Sequence, residues 1–160
     1  MASKENKILY EGIPAIKDAF IVIVKTEWNA TIVNKLEEGT IKILKSLGIK
    51  YKTYTVPGAV EIPFVIKAYA ENKKRKADAF ITLGAVIRGG TAHFEYVCKS
   101  VTEGITSLNI TLNVPVIFCV LTTDDEQQAT ERAGGKHGNK GEEAAIAAIK
   151  MIALNRSLRK

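Results

Sequence analysis

Residues 84–104, GAVIRGGTAHFEYVCKSVTEG, decide how this chain folds. The first of them close an apolar run that begins at Ala79 and ends at Ile87, which predicts a buried strand. Arg88-Gly89-Gly90 interrupts the run. From Thr91 the pattern turns helical: Phe94, Val97, Cys98, Val101, Ile105 and Leu108 recur on one face. A strand that hands a glycine pair to a helix N-terminus is a way to build an anion site. Glycine lets backbone N–H groups approach a ligand closely, and the helix end adds partial positive charge.

His93 lies in the first turn of that helix. A helix N-terminus disfavours imidazolium, so its pKa is expected below the usual ~6.5 and the ring neutral near pH 7. A neutral imidazole beside an anion site can act as a general base. It also falls at the edge of the apolar stripe, where packing alone would account for it. No P-loop or dinucleotide fingerprint occurs, and the segment GGKHGNKG at 134–141 lacks the strand before it and the Ser or Thr after it that a Walker A loop needs.

Outward from this unit the same alternation repeats. AFIVIVK at 19–25 is a β-branched run typical of a strand buried on both faces, with Trp28 just beyond its end. Residues from Asn29 to Gly48 have helical spacing, and residues 49–56 alternate as a second strand. VPGAVEIP at 56–63 turns into a helix that has Pro63 in its first turn, and Glu61 is placed to cap it. That helix is expected to run to about Lys74, with Lys73 to Lys76 as its solvated end. VPVIFCVL at 114–121 is a fourth strand. TTDDE at 122–126 opens a short helix, and residues 134–141 form a flexible basic loop. The last helix, from about Glu142, is apolar nearly all round and therefore expects cover on more than one face, by subunit contacts. Residues 7–10 suggest a short strand that needs a partner edge, in a neighbouring subunit.

Strands alternating with helices give one parallel α/β domain over residues 1–160, with helices on both faces of the sheet. Ligands in such sheets bind beyond the carboxyl ends of the strands. Trp28, residues 59–61, residues 86–93 and residues 118–122 all fall there. An aromatic, a carboxylate, an anion loop and a neutral base would suit a planar heterocycle and a phosphorylated partner.

Composition narrows the classes. A net charge of +6 is compatible with anionic substrates, but its basic residues are scattered and few aromatics interleave with them, which argues against nucleic acid. The apolar runs are too short to span a bilayer, and the polar opening MASKEN has no signal core. Two cysteines at buried-looking positions, Cys98 and Cys119, make no disulfide framework, so a reducing cytoplasmic setting is expected. His93 and His137 have no ligand-spaced partners, so no metal site is expected.

The segments WN at 28–29, PGAVEIP at 57–63, GAVIRGGTAHFEYV at 84–97, VLTTDDEQQATERAG at 120–134 and GNKG at 138–141 resemble the lumazine synthase family in order and spacing. The resemblance implies a three-layer α/β/α sandwich with flavodoxin-like winding on a four-stranded parallel sheet. It implies the penultimate step of riboflavin synthesis, joining 5-amino-6-ribitylamino-uracil to 3,4-dihydroxy-2-butanone 4-phosphate without a cofactor. On this resemblance Trp28 stacks on the pyrimidine, Ala59, Val60 and Glu61 hold the ribityl chain, and Val86 and Ile87 offer backbone contacts to the ring. Gly90, Thr91 and Arg132 bind phosphate, His93 relays protons, and Phe118 and Lys140 line the pyrimidine end. Phe118 and Arg132 would come from the neighbouring subunit. Trp28 departs from the family's frequent phenylalanine, and Val60 from a bulkier residue. The resemblance further implies pentamers, packed as twelve into a shell. Two other classes would keep the fold: a flavin-binding module without turnover, and a cage whose function is assembly.

Overall fold

The computed structural model describes residues 7–72 and 76–159. Its centre is a parallel sheet of β1 (Phe20–Thr26), β2 (Lys50–Val56), β3 (Ala79–Ile87) and β4 (Val116–Thr123), in the order β2-β1-β3-β4. This is the flavodoxin-like winding. The order reverses between β1 and β3, and the crevice beyond their carboxyl ends is where such sheets bind ligands.

Each strand's alternation divides the core in two. Ile21 and Ile23 of β1 pack with α2 (Ala30–Ser46) and α6 (Lys140–Leu158) on one face. Phe20, Val22 and Val24 pack on the other with α3 (Ile62–Glu71) and α4 (His93–Thr111). Burial on both faces explains why the run in β1 is continuously apolar. In β3 the one polar side chain with no exposure, Thr82, donates to the Ile117 carbonyl at 3.0 Å and accepts the Cys119 N–H at 3.2 Å. Burial therefore costs it no hydrogen bond.

The connections follow their capping chemistry. Asp125 accepts the Gln128 N–H at 2.7 Å and starts α5 (Glu126–Arg132), as the acidic opening predicts. Asn139 accepts the Gly141 N–H at 2.8 Å and starts α6 two residues before Glu142. α2 and α6 lie so close that a Cβ on Gly141 would fall 1.9 Å from the Leu36 carbonyl oxygen.

Two expectations are corrected. Residues 7–10 form a single helical turn, α1 (Lys7–Tyr10), and not a strand. The turn packs beside α6, with the Tyr10 hydroxyl 3.1 Å from Glu142, and Leu9 faces the cleft along β4 without pairing to that edge strand. The remainder of the N-terminal segment, residues 1–6, lies outside the described residues. Residues 134–141 are not a flexible loop. They pair β5 (Ala133–Gly135) with β6 (Gly138–Asn139) and then enter α6. Gly134 and Gly138 supply positive φ values of 110° and 75°, and Glu131 holds Lys136 at 2.9 Å. The helix after Pro63 ends at Glu71, so most of the basic cluster at 73–76 lies outside the described residues.

No helix among the described residues is long and apolar enough to cross a membrane.

Candidate active site

β1 and β3 end side by side, and the loops after them open a cleft of about 320 Å³. Trp28 and Asn29 form one wall, Ala59 and Val60 the next, Val86 and Ile87 the floor. Gly89, Thr91 and His93, with Phe94 and Val97, close the remaining side.

Trp28 stands out from the surface with 67% of its area exposed, unusual for the chain's single tryptophan. Its backbone N–H donates to Pro57 O at 3.2 Å. The indole packs over Gly58, where a Cβ would sit 3.2 Å from the ring. Glycine at 58 therefore gives Trp28 its seat. Glu61 points back into its own turn, a 3-10 turn at Ala59–Glu61, and accepts the Gly58 N–H at 2.9 Å. That is the capping arrangement, and the carboxylate does not line the cleft.

At the other wall the first turn of α4 has no side-chain cap. The local bonds there are a long one from the His93 N–H to Thr91 Oγ1 at 3.4 Å and one from the Glu95 N–H to Ala92 O at 3.1 Å. Gly89 and Gly90 have no positive φ, and a Cβ on either would meet nothing within 4 Å. Neither strain nor crowding within this chain requires glycine at these two positions. What glycine does provide is bare backbone beside a helix N-terminus.

Three of the residues singled out from sequence are elsewhere. Phe118 and Lys140 line a separate cleft of about 280 Å³ along β4 and α6, with Leu9, Cys119 and Glu143. Lys140 pairs there with Glu143 at 2.7 Å, and Phe118 is 42% exposed. Arg132 lies on α5, where its guanidinium donates to Gln128 O at 2.9 Å, and it lines neither cleft. Gly90 sits at the rim, flanked by lining residues. The structure thus gathers Trp28, Ala59, Val60, Val86, Ile87, Thr91 and His93 in one cleft and leaves Phe118, Lys140 and Arg132 away from it.

Sequence reasoning placed Asn29 at a helix start but gave its side chain no part in the site. The residue adopts the left-handed conformation, φ 57°, at the start of α2, and its side-chain amide donates to Ala85 O at 2.8 Å. The available signal was an Asn immediately before a helical pattern, which marks a helix start. It also missed the partners of Arg88, which bonds Asp124 and Glu95. Among the described residues no three His, Cys, Asp or Glu side chains converge as a metal site. Cys98 is half-buried, and burial pushes its thiol pKa up, with Glu95 adding to the effect. It is therefore a poor nucleophile.

Comparison with known proteins identifies the family. The model of the family described as 6,7-dimethyl-8-ribityllumazine synthase matches residues 18–156. A protein of that name from Parabacteroides distasonis is 47% identical over 146 residues, covering 89% of this chain and 90% of the relative. Another from Porphyromonas gingivalis is 47% identical over 150 residues, covering 92% of each. A third, from Bacteroides fragilis, is 48% identical over 141 residues, covering 86% of this chain and 97% of the relative. By the extent of the match and the fold that carries it, the chain belongs to the 6,7-dimethyl-8-ribityllumazine synthase family.

Proposed function

We propose that this enzyme condenses 5-amino-6-ribitylamino-uracil with 3,4-dihydroxy-2-butanone 4-phosphate in the cleft between Trp28 and His93, releasing phosphate, water and 6,7-dimethyl-8-ribityllumazine. One observation carries the reading: an exposed indole and a histidine at a helix N-terminus line the same cleft at the sheet's switch point. The indole face stacks on the pyrimidine, the turn Ala59-Val60-Glu61 takes the ribityl chain, and the backbone at Val86 and Ile87 meets the ring edge. Gly90, Thr91 and the start of α4 receive the phosphate. Lys140 and Phe118 belong to the pyrimidine end.

The chemistry asks for these groups. The uracil amine adds to the ketone and loses water to give a Schiff base. Phosphate then leaves by elimination, and ring closure with loss of a further water completes the heterocycle. Each stage moves protons, which His93 relays. Charge that builds as phosphate departs is stabilised by the α4 N-terminus and by Arg132. Holding two substrates together supplies much of the rate, so His93 assists without being indispensable.

Arg132, Phe118 and Lys140 lie outside this cleft, which supports a site completed by a second copy of the chain. On this reading the working unit is a pentamer, with twelve pentamers forming a shell. Support comes from apolar residues left open on two helices, Ile110 and Tyr96 on α4 and Leu154 and Leu158 on α6. The two free cysteines favour a cytoplasmic setting.

The test is absorbance detection of the lumazine from the two purified substrates. Product accompanied by stoichiometric phosphate supports the reading, and its absence from assembled protein contradicts it.

A further inference from the structure

Arg88 joins three groups on both sides of the glycine loop. Its Nε donates to Asp124 Oδ1 at 2.8 Å, beyond the end of β4. Its Nη1 donates to Glu95 Oε1 in the first turn of α4. Its guanidinium carbon lies 4.2 Å from the centre of the Phe94 ring, which lines the cleft. The backbone N–H of Arg88 is held as well, donating to Thr123 O at 2.9 Å. Between Arg88 and Glu95 lie Gly89 and Gly90, whose missing Cβ atoms would touch nothing, and Thr91 and His93. No packing of the glycines themselves sets the path of this loop. Its two ends set it, and one side chain grips both.

We infer that Arg88 is a positioning residue that staples the ends of the loop at 89–92, so that Gly90, Thr91 and His93 keep one geometry against the phosphorylated substrate. A single exposed ion pair would do little here. Three features raise this one above that level: carboxylates from two different elements, a planar donor that holds both at once, and an aromatic face beneath it. Asp124 first, then Glu95, raises the guanidinium pKa further, and Arg88 in turn lowers that of Glu95. With two carboxylates on it the guanidinium has no spare charge for a phosphate, which separates its role from that of Arg132. A lysine replaces it only in part, because an ammonium is a point charge without the planar fork.

The inference rests on the proposed function for its kinetic consequence but not for its structural one, and the experiment reads both. Arg88→Ala, Arg88→Lys and Arg88→Ala/Glu95→Gln are compared with wild type by kinetics on each substrate and by amide hydrogen exchange. Arg88→Ala is expected to lower kcat/KM for the phosphorylated substrate about 10-fold with the pyrimidine KM changed less than about 2-fold, and Arg88→Lys to give about a 3-fold loss. Amides at 88 and 95–97, which are hydrogen-bonded at the two ends of the loop, exchange roughly 10-fold faster while those of β1 and β3 stay as protected as in wild type. The double variant keeps the exchange effect, because it removes the unpaired carboxylate and not the loss of the staple. Unchanged exchange at 88 and 95–97, or an equal loss on both substrates with protection falling throughout the chain, overturns the inference. Absence of wild-type turnover would sink the functional reading alone, and the exchange result would still decide the role of Arg88.

Discussion

The side-chain amide of Asn29 donates to the carbonyl of Ala85 at 2.8 Å, and this bond ties the end of β1 to the end of β3. Trp28 precedes Asn29, and Val86 follows Ala85, so the indole wall and the floor of the cleft share one anchor. Asn29 reaches the carbonyl from a left-handed conformation that few residues other than glycine adopt easily.

Replacing Asn29 separates the two contributions. Asn29→Ala loses the bond and strains the backbone, and should destabilise the fold by about 2 kcal/mol. Asn29→Gly loses only the bond and should cost about 1 kcal/mol. Urea unfolding measures both, and a glycine variant less stable than the alanine one would contradict the conformational part of the argument.

How much of this could be read from the sequence depended on range. β1 and β3 were legible because burial on both faces leaves a continuous apolar run, and the loop at 88–93 because glycine punctuates the change of period. Residues 7–10 were misjudged because four residues with mixed apolar character carry no period of their own. Their turn is set by Tyr10 meeting Glu142, far along the chain. The hairpin at 133–139 was hidden because a glycine-rich segment permits a loop and a tight turn equally, and the bonds that hold it, from the His137 N–H to Glu131 O and from Lys136 to the Glu131 carboxylate, reach back into α5. The grip of Arg88 on Asp124 could not be read either, since it depends on β3 and β4 lying side by side.

Two glycines should respond very differently to one added methyl group. Gly141→Ala would drive a Cβ to 1.9 Å from Leu36 O and 2.8 Å from Thr40 Oγ1, both in the α2–α6 contact. A loss of about 3 kcal/mol is expected, at the upper end of overpacking costs. Gly89→Ala meets nothing within 4 Å, and its stability should stay within about 0.5 kcal/mol of wild type. Thermal or urea unfolding checks the pair; equal effects would show that the close approach of α2 and α6 is not as described.

Alkali should destabilise the fold. Complete burial, with Glu143 adding to it, pushes the Cys119 thiol from 9.0 up to about 12. Tyr10 adds a smaller, solvent-screened share, being 41% exposed: partial burial first, then the bond and charge of Glu142, raises it from 10.0 to about 12. The native chain thus keeps protons that the unfolded chain releases. Stability from these groups is intact below pH about 9 and is lost as pH climbs towards about 12. The urea midpoint should fall between about pH 9 and pH 12, and less steeply in Cys119→Ala. A midpoint that is flat or rises over that interval would contradict the assignment.

The central claim is that His93 and Arg132 serve one site from two copies of the chain. It is tested most directly by the rate of lumazine formation in assemblies that mix His93→Ala and Arg132→Ala subunits. Each variant alone should be slowed by about 100-fold or more. Co-assembled, they should regain a substantial part of wild-type activity, because some sites then combine an intact His93 with an intact Arg132. Mixed assemblies no faster than the average of the two parents would contradict the account.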